Sequence, residues 1–267
     1  MEDNRFVYTM PVLPDTAEGV GRADAVDSSI FFGSSDGVRV TDHAQCVTLS
    51  SALRGKLCDQ LAAGRSAKFV PVGKYLYLAS EPAKSIYYVR SGLLKTSIVS
   101  DEGREVILRV HKPRDIFGEL CFCNGRRREQ ATAMEDSEVV QIPLDDLISH
   151  LQKNRQALFD FMALMSQYLA DSYERLPVFF SHTTMERLIQ TLLKLAAELG
   201  EPVPDGIEIT HFIKQEELAA MICAPRQVVS SLLNQLRELR LVEYARKGSL
   251  TINKKALGLY LRSIAGK

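Results

Sequence analysis

The sequence predicts an α+β protein: an antiparallel β-roll of jelly-roll type, one long helix, and a C-terminal winged helix-turn-helix. Three observations carry this reading. Short apolar, β-branched or aromatic runs alternate with turn residues between 69 and 142. An apolar stripe at three- and four-residue steps follows, from Leu158 to Leu176. Two short helical patterns then flank Cys223-Ala224-Pro225 and lead into a hairpin. The 267 residues divide accordingly into a variable acidic extension at 1–45, the roll at 46–150, the dimerisation helix and hinge at 151–182, and the winged domain at 183–267.

The extension carries three basic against eight acidic residues, a net of −5, and Gly19-Val20-Gly21 and Gly33-Ser34-Ser35-Asp36-Gly37 interrupt any period. Residues 50–63 read as a helix with Leu53, Leu57 and Leu61 on one face. Strands are expected at Phe69-Val70, Tyr75–Leu78, Ile86–Val89, Leu93–Val99, Val106–Val110 and Val139–Ile142. Asp101-Glu102-Gly103 joins two of them as a hairpin loop, where glycine supplies the positive φ. After Pro143 the pattern turns helical, with Asp145 and Asp146 suited to a helix N-terminus. The stripe Leu158, Phe161, Met165, Tyr168, Leu169 and Leu176 suggests a helix pairing with its twin; the alternative is a helix packed on its own domain. Pro177 is expected to end or kink it. A helix over 185–199 stops at Gly200, Pro202 to Gly206 form a loop, and Ile207–Ile209 is a short strand.

Gln215–Ile222 and Arg226–Leu236 are the two helices of the helix-turn-helix, with Val229, Leu232, Leu233 and Leu236 turned inward. In such motifs the first turn of the second helix meets base edges in a major groove. Here that turn offers Pro225, Arg226 and Gln227, followed by Ser230 and Ser231. Arginine can bond both acceptors of guanine and glutamine can pair with adenine. Leu241–Tyr244 and Ser249–Ile252 read as a wing with Arg246 and Lys247 at its tip near a phosphate. The bland alternative is a plain helical hairpin followed by a surface hairpin.

Composition bounds the function. Apolar residues are 46% and charged residues 25%, which excludes a collagenous, wholly disordered or disulfide-dense chain. Apolar runs fall well short of the about 18 residues of a membrane span, and no secretory signal is visible. The five cysteines at 46, 58, 121, 123 and 223 suit a reducing cytoplasm. No metal-ligand cluster, phosphate loop or Ser/His/Asp arrangement suggests an enzyme.

Motif order adds a resemblance. Pro71-Val72-Gly73, Ser85 to Gly92, Asp101 to Leu108 and Arg114-Asp115-Ile116-Phe117-Gly118-Glu119-Leu120 are similar to the cyclic-nucleotide-type β-roll of the cyclic-AMP receptor protein and fumarate–nitrate regulator (Crp/Fnr) family. The likeness spans roughly residues 48–258. It implies a cytoplasmic bacterial transcription regulator: a homodimer on a palindromic double-stranded DNA operator, with RNA polymerase as a further partner. An effector on the roll would reorient the DNA-binding domains.

By the same resemblance Gly118-Glu119-Leu120 holds a ribose hydroxyl and Arg127 a cyclic phosphate. Arg128 stands where a serine is expected, and Ser172-Tyr173 replaces the Thr-Ser pair that contacts adenine. An anionic nucleotide, cyclic mono- or dinucleotide, is the expected effector. The alternatives are a solvated Arg126–Arg128 loop and a roll that binds no nucleotide: a constitutive DNA binder, or a redox, gas or protein-interaction sensor. Cysteine spacing does not fit an iron–sulfur cluster. Gly118 and Leu120 occupy the positions where the carbon-monoxide-sensing members carry haem-associated Cys and His. Cys121 and Cys123 read as buried small residues on a strand, with a redox role as the alternative.

Overall fold

The structure, a computed structural model, describes residues 59–264 except 124, 182, 205, 212 and 245–248. The acidic extension, most of the expected 50–63 helix and the tip of the wing lie outside the described residues; residues 59–62 are helical.

Twelve strands are described: β1 (Ala67–Val70), β2 (Tyr75–Tyr77), β3 (Ser85–Ser91), β4 (Leu94–Val99), β5 (Glu105–His111), β6 (Ile116–Phe117), β7 (Gln130–Ala133), β8 (Ser137–Pro143), β9 (Gly200–Val203), β10 (Gly206–Ile209), β11 (Val242–Tyr244) and β12 (Leu250–Ile252). The first eight form two antiparallel sheets, in order β1-β8-β3-β6 and β2-β7-β4-β5. Their inner faces share one core, in which Tyr77, Tyr87, Val89, Leu94, Phe117, Ala131 and Val139 are buried. β6 and β7 escape the sequence pattern, because two residues show no alternation and Gln130-Ala131-Thr132-Ala133 is weakly apolar.

The outer face of the first sheet is covered by α1 (Leu144–Lys153) and α2 (Arg155–Ser181), with Ile86, Ile116, Val140, Ile142, Leu147, Leu151 and Phe161 in one cluster. Asp145 and Asp146 lie in the first turn of α1, where a helix favours negative charge. Asn154 separates the two helices and its Oδ1 accepts the Ala157 N–H at 3.1 Å. Helix α2 continues past Pro177 to Ser181, so of the expected end or kink the end does not occur there. Proline lacks its own N–H but leaves the following residues able to bond back along the ladder.

Beyond it lie α3 (Thr184–Leu199), α4 (Gln215–Ile222), α5 (Arg226–Glu238) and α6 (Lys254–Ile264), with a third antiparallel sheet in order β11-β12-β10-β9. Pro202 belongs to β9 rather than to a loop; β9 is an edge strand, where a missing N–H is tolerated. Leu188, Ile189, Leu192, Leu218, Val229, Leu233, Leu236 and Leu257 form the core of this part, and Leu93, Ile107 and Met134 of the roll join the same cluster.

Candidate functional site

Helix α4 begins at Lys214, whose backbone N–H is accepted by Glu217 Oε2 at 2.9 Å. It ends at Cys223, which holds a left-handed backbone at φ 52° and turns the chain sharply. Pro225 then caps α5, and its carbonyl accepts from Val228 and Val229. Val229, Leu233 and Leu236 are buried at the i, i+4, i+7 spacing of one helix face. Leu232, expected inward with them, is only half-buried.

That packing turns the other face outward: Arg226, Gln227 and Ser231 are exposed and Ser230 is half-buried. Arg226 Nη1 lies 3.1 Å from Glu216 Oε1 of α4. A shallow concavity of about 330 Å³ beside this pair is lined by Gln215, Arg226, Gln227 and Ser230. β11 and β12 pair as the expected hairpin; Arg246 and Lys247 lie outside the described residues.

In the roll, Gly118 takes φ 88°, and a 3₁₀ turn, Glu119–Cys123, follows it. Cys121 and Cys123 therefore lie on this turn and not on a strand. Burial pushes the Glu119 carboxyl up, and nearby Glu129 pushes it further; its own and Gly118's backbone hydrogen bonds and Arg109 work the other way. Leu120 is half-buried.

Arg127 is only 4% exposed. Its Nη1 donates to the Gly118 carbonyl at 3.0 Å and its Nη2 to the Ser85 carbonyl at 2.7 Å. The guanidinium also sits 4.2 Å from the Tyr77 ring centroid and 5.1 Å from that of Tyr87. Arg126 donates to Ser80 O from the surface and Arg128 is exposed. The three arginines thus have three different environments.

Around Arg127 the structure assembles residues that the sequence reading missed. Tyr77, Tyr87 and Phe117 stack with centroids 5.6 to 6.3 Å apart, and His111 stacks on Phe117 at 4.5 Å. The Tyr77 hydroxyl donates to Glu129 Oε1 at 2.9 Å, while the buried Glu129 Oε2 has no partner among the described residues. His111 Nε2 lies 3.0 Å from Thr96 Oγ1, and its Nδ1 has no partner among the described residues. Only the strand period hinted at Tyr77, Tyr87 and His111, since alternate positions of β2, β3 and β5 face inward.

The long helix divides the expected stripe. Phe161 and Tyr168 are buried on the roll, where Phe161 meets Phe122 edge-on and the Tyr168 hydroxyl donates to Ile116 O at 2.9 Å. At these two positions the helix packs on its own domain, the alternative stated for this stripe. Leu158, Met162, Leu169, Tyr173 and Leu176 are exposed and Met165 is half-buried. Ser172 donates back to Tyr168 O at 2.8 Å. Tyr168 also lies under the Arg109 guanidinium at 3.5 Å.

Comparison with known proteins decides the kinship. The cyclic nucleotide-binding domain description matches residues 67–154 and the Crp-like helix-turn-helix domain description matches residues 186–257. The chain belongs to the Crp/Fnr family.

Crp/Fnr relatives include the anaerobic regulatory protein of Bacillus subtilis, 28% identical over 183 residues, covering 68% of this chain and 77% of that one. The CRP-like cAMP-activated global transcriptional regulator of Mycobacterium tuberculosis is 26% identical over 188 residues, covering 70% and 80%. FixK2 of Bradyrhizobium japonicum has the same fold, with a TM-score of 0.65 at 20% identity over 73% of this chain and 96% of that one. The chain is thus a Crp-like transcription regulator with cyclic nucleotide-binding-type and DNA-binding helix-turn-helix domains. Among the described residues no helix is long and apolar enough to cross a membrane, and no His, Cys, Asp and Glu group is arranged to hold a metal.

Proposed function

We propose that the protein is a homodimeric, effector-responsive regulator that reads a palindromic operator and has no catalytic activity of its own. The carrying observation is α5, which buries Val229, Leu233 and Leu236 and turns Arg226, Gln227 and Ser231 to solvent. The exposed α2 stripe, Leu158, Met162, Leu169, Tyr173 and Leu176, supports pairing with a second copy. Two copies related by a twofold axis present two reading helices to two half-sites. Arg246 and Lys247 of the wing add phosphate contacts, and RNA polymerase is the partner through which such a regulator acts. Expected in binding assays at fixed salt: Arg226→Ala abolishes preference for the selected operator and leaves the dimer intact by sedimentation. Unchanged preference rejects α5 as the reader.

The effector is an anionic nucleotide, cyclic mono- or dinucleotide, bound at Gly118, Glu119 and Leu120 with Arg127 on its phosphate and Arg128, Ser172 and Tyr173 at the rim. A second reading, a roll that binds no nucleotide, is favoured by one observation: Arg127 already serves two carbonyls and two aromatic rings. A phosphate must take over part of that bonding. A thermal-shift panel of cyclic mono- and dinucleotides separates the two. A ligand at 100 times its Kd stabilises by about 2.7 kcal/mol, and Glu119→Gln weakens it about tenfold. No shift with any nucleotide leaves the second reading.

A further inference from the structure

We infer that Glu216 is the positioning residue for Arg226: it holds the guanidinium in one pose for a base and keeps it from roaming over phosphates. This rests on the reading of α5 as the DNA-reading helix.

The two side chains come from the first turns of consecutive helices, Glu216 of α4 and Arg226 of α5, and meet with Nη1 3.1 Å from Oε1. Both stand in solvent, so the pair adds little to folding. Its effect falls on what Arg226 can do next. Arginine presents five donors in a planar fork. One terminal nitrogen held by the carboxylate leaves the remaining edge for the two acceptors of a guanine. Fixing this long side chain beforehand also reduces the ordering cost of binding.

The charge balance points the same way. Among Arg226, Gln227, Ser230 and Ser231 the charge is Arg226 alone, and Glu216 offsets it. A carboxylate on a surface that approaches phosphates weakens sequence-blind attraction. It therefore makes sense only if the gain lies in discrimination. The concavity beside the pair is lined by uncharged Gln215, Gln227 and Ser230 together with Arg226, a lining suited to base edges more than to a phosphate.

The test is Glu216→Gln, which keeps the size and removes the charge. Affinities are measured for the selected operator and for random duplex across a salt series. Random-duplex affinity is expected to rise, with its salt slope steeper by about one phosphate contact. The ratio of specific to non-specific affinity is expected to fall about tenfold. The lost base preference should fall at the position that Arg226→Ala also loses. In the Arg226→Ala background, Glu216→Gln should cost nothing further.

An unchanged ratio and slope in Glu216→Gln, beside a collapse in Arg226→Ala, overturns the inference. So does loss at a different base position, which makes Glu216 a base reader in its own right. Retained specificity in Arg226→Ala instead overturns the reading of α5 beneath it.

Discussion

His111 shows how one side chain ties the roll to pH. It is buried against Phe117, and burial first, then Arg109, holds its imidazole well below the usual value of 6.5. The native ring thus refuses a proton that the unfolded chain accepts below pH 6.5. Its stability contribution is complete above that pH and declines as pH falls toward the depressed native value, by up to about 1.4 kcal/mol per pH unit. Glu119 and Glu217 act in the opposite sense: burial raises both carboxyls, so their contribution is complete below the ordinary value of 4.5 and is lost as pH rises through the raised one. Comparing variants isolates the histidine. Urea unfolding of His111→Gln should lack the part of the acid slope between pH 6.5 and 5 that the wild-type protein shows; equal slopes reject the assignment.

At the scale of elements, helix ends and strand edges follow local chemistry closely. Thr183 Oγ1 accepts the Glu186 N–H at 3.3 Å, and Glu186 Oε2 accepts the Thr183 N–H at 2.6 Å, a reciprocal cap at the start of α3. Removing it with Thr183→Ala should cost about 1 kcal/mol in chemical unfolding, with an unchanged denaturant slope. Elements that depart from expectation do so for equally local reasons. β9 accepts Pro202 because its outer edge needs no donor, and β6 and β7 exist because neighbouring strands supply partners that two and four residues cannot specify alone.

For the whole molecule, the second sheet of the roll docks on the winged domain through a charged pin set in apolar packing. Lys95 Nζ lies 2.9 Å from Glu105 of β5 and 3.8 Å from Glu217 of α4, beside buried Ile107, Leu93 and Leu218. Glu217 also caps α4, so one carboxylate serves the reading motif and the domain contact together. Lys112 Nζ to Glu198 O at 2.7 Å and His211 Nδ1 to Glu135 at 2.8 Å reinforce this contact, and Arg175 of α2 donates to Ile107 O at 3.1 Å beside it. Lys95→Met removes the cation and leaves the largely buried Glu217 carboxylate beside Glu105 without a counter-charge, a loss of about 3 kcal/mol. Calorimetry should then show the roll and the winged domain melting separately; a single unshifted transition rejects the pin.

By itself the sequence determined the order of domains, nine of the twelve strands in whole or part, the two helices around Cys223 and the outward Arg226 and Gln227. These follow from local periods and turn residues, which one stretch of chain carries within itself. It also held the charge division: the neutral total covers −5 in the extension, +2 over residues 46–180 and +3 over residues 181–267. Only the tertiary structure decided that Arg127 is enclosed while Arg126 and Arg128 are exposed, that Phe161 and Tyr168 face the roll, and that Glu216 meets Arg226. Each of these depends on which segments pack together across the fold, and burial, ion pairing and orientation arise from that packing and not from adjacency along the chain.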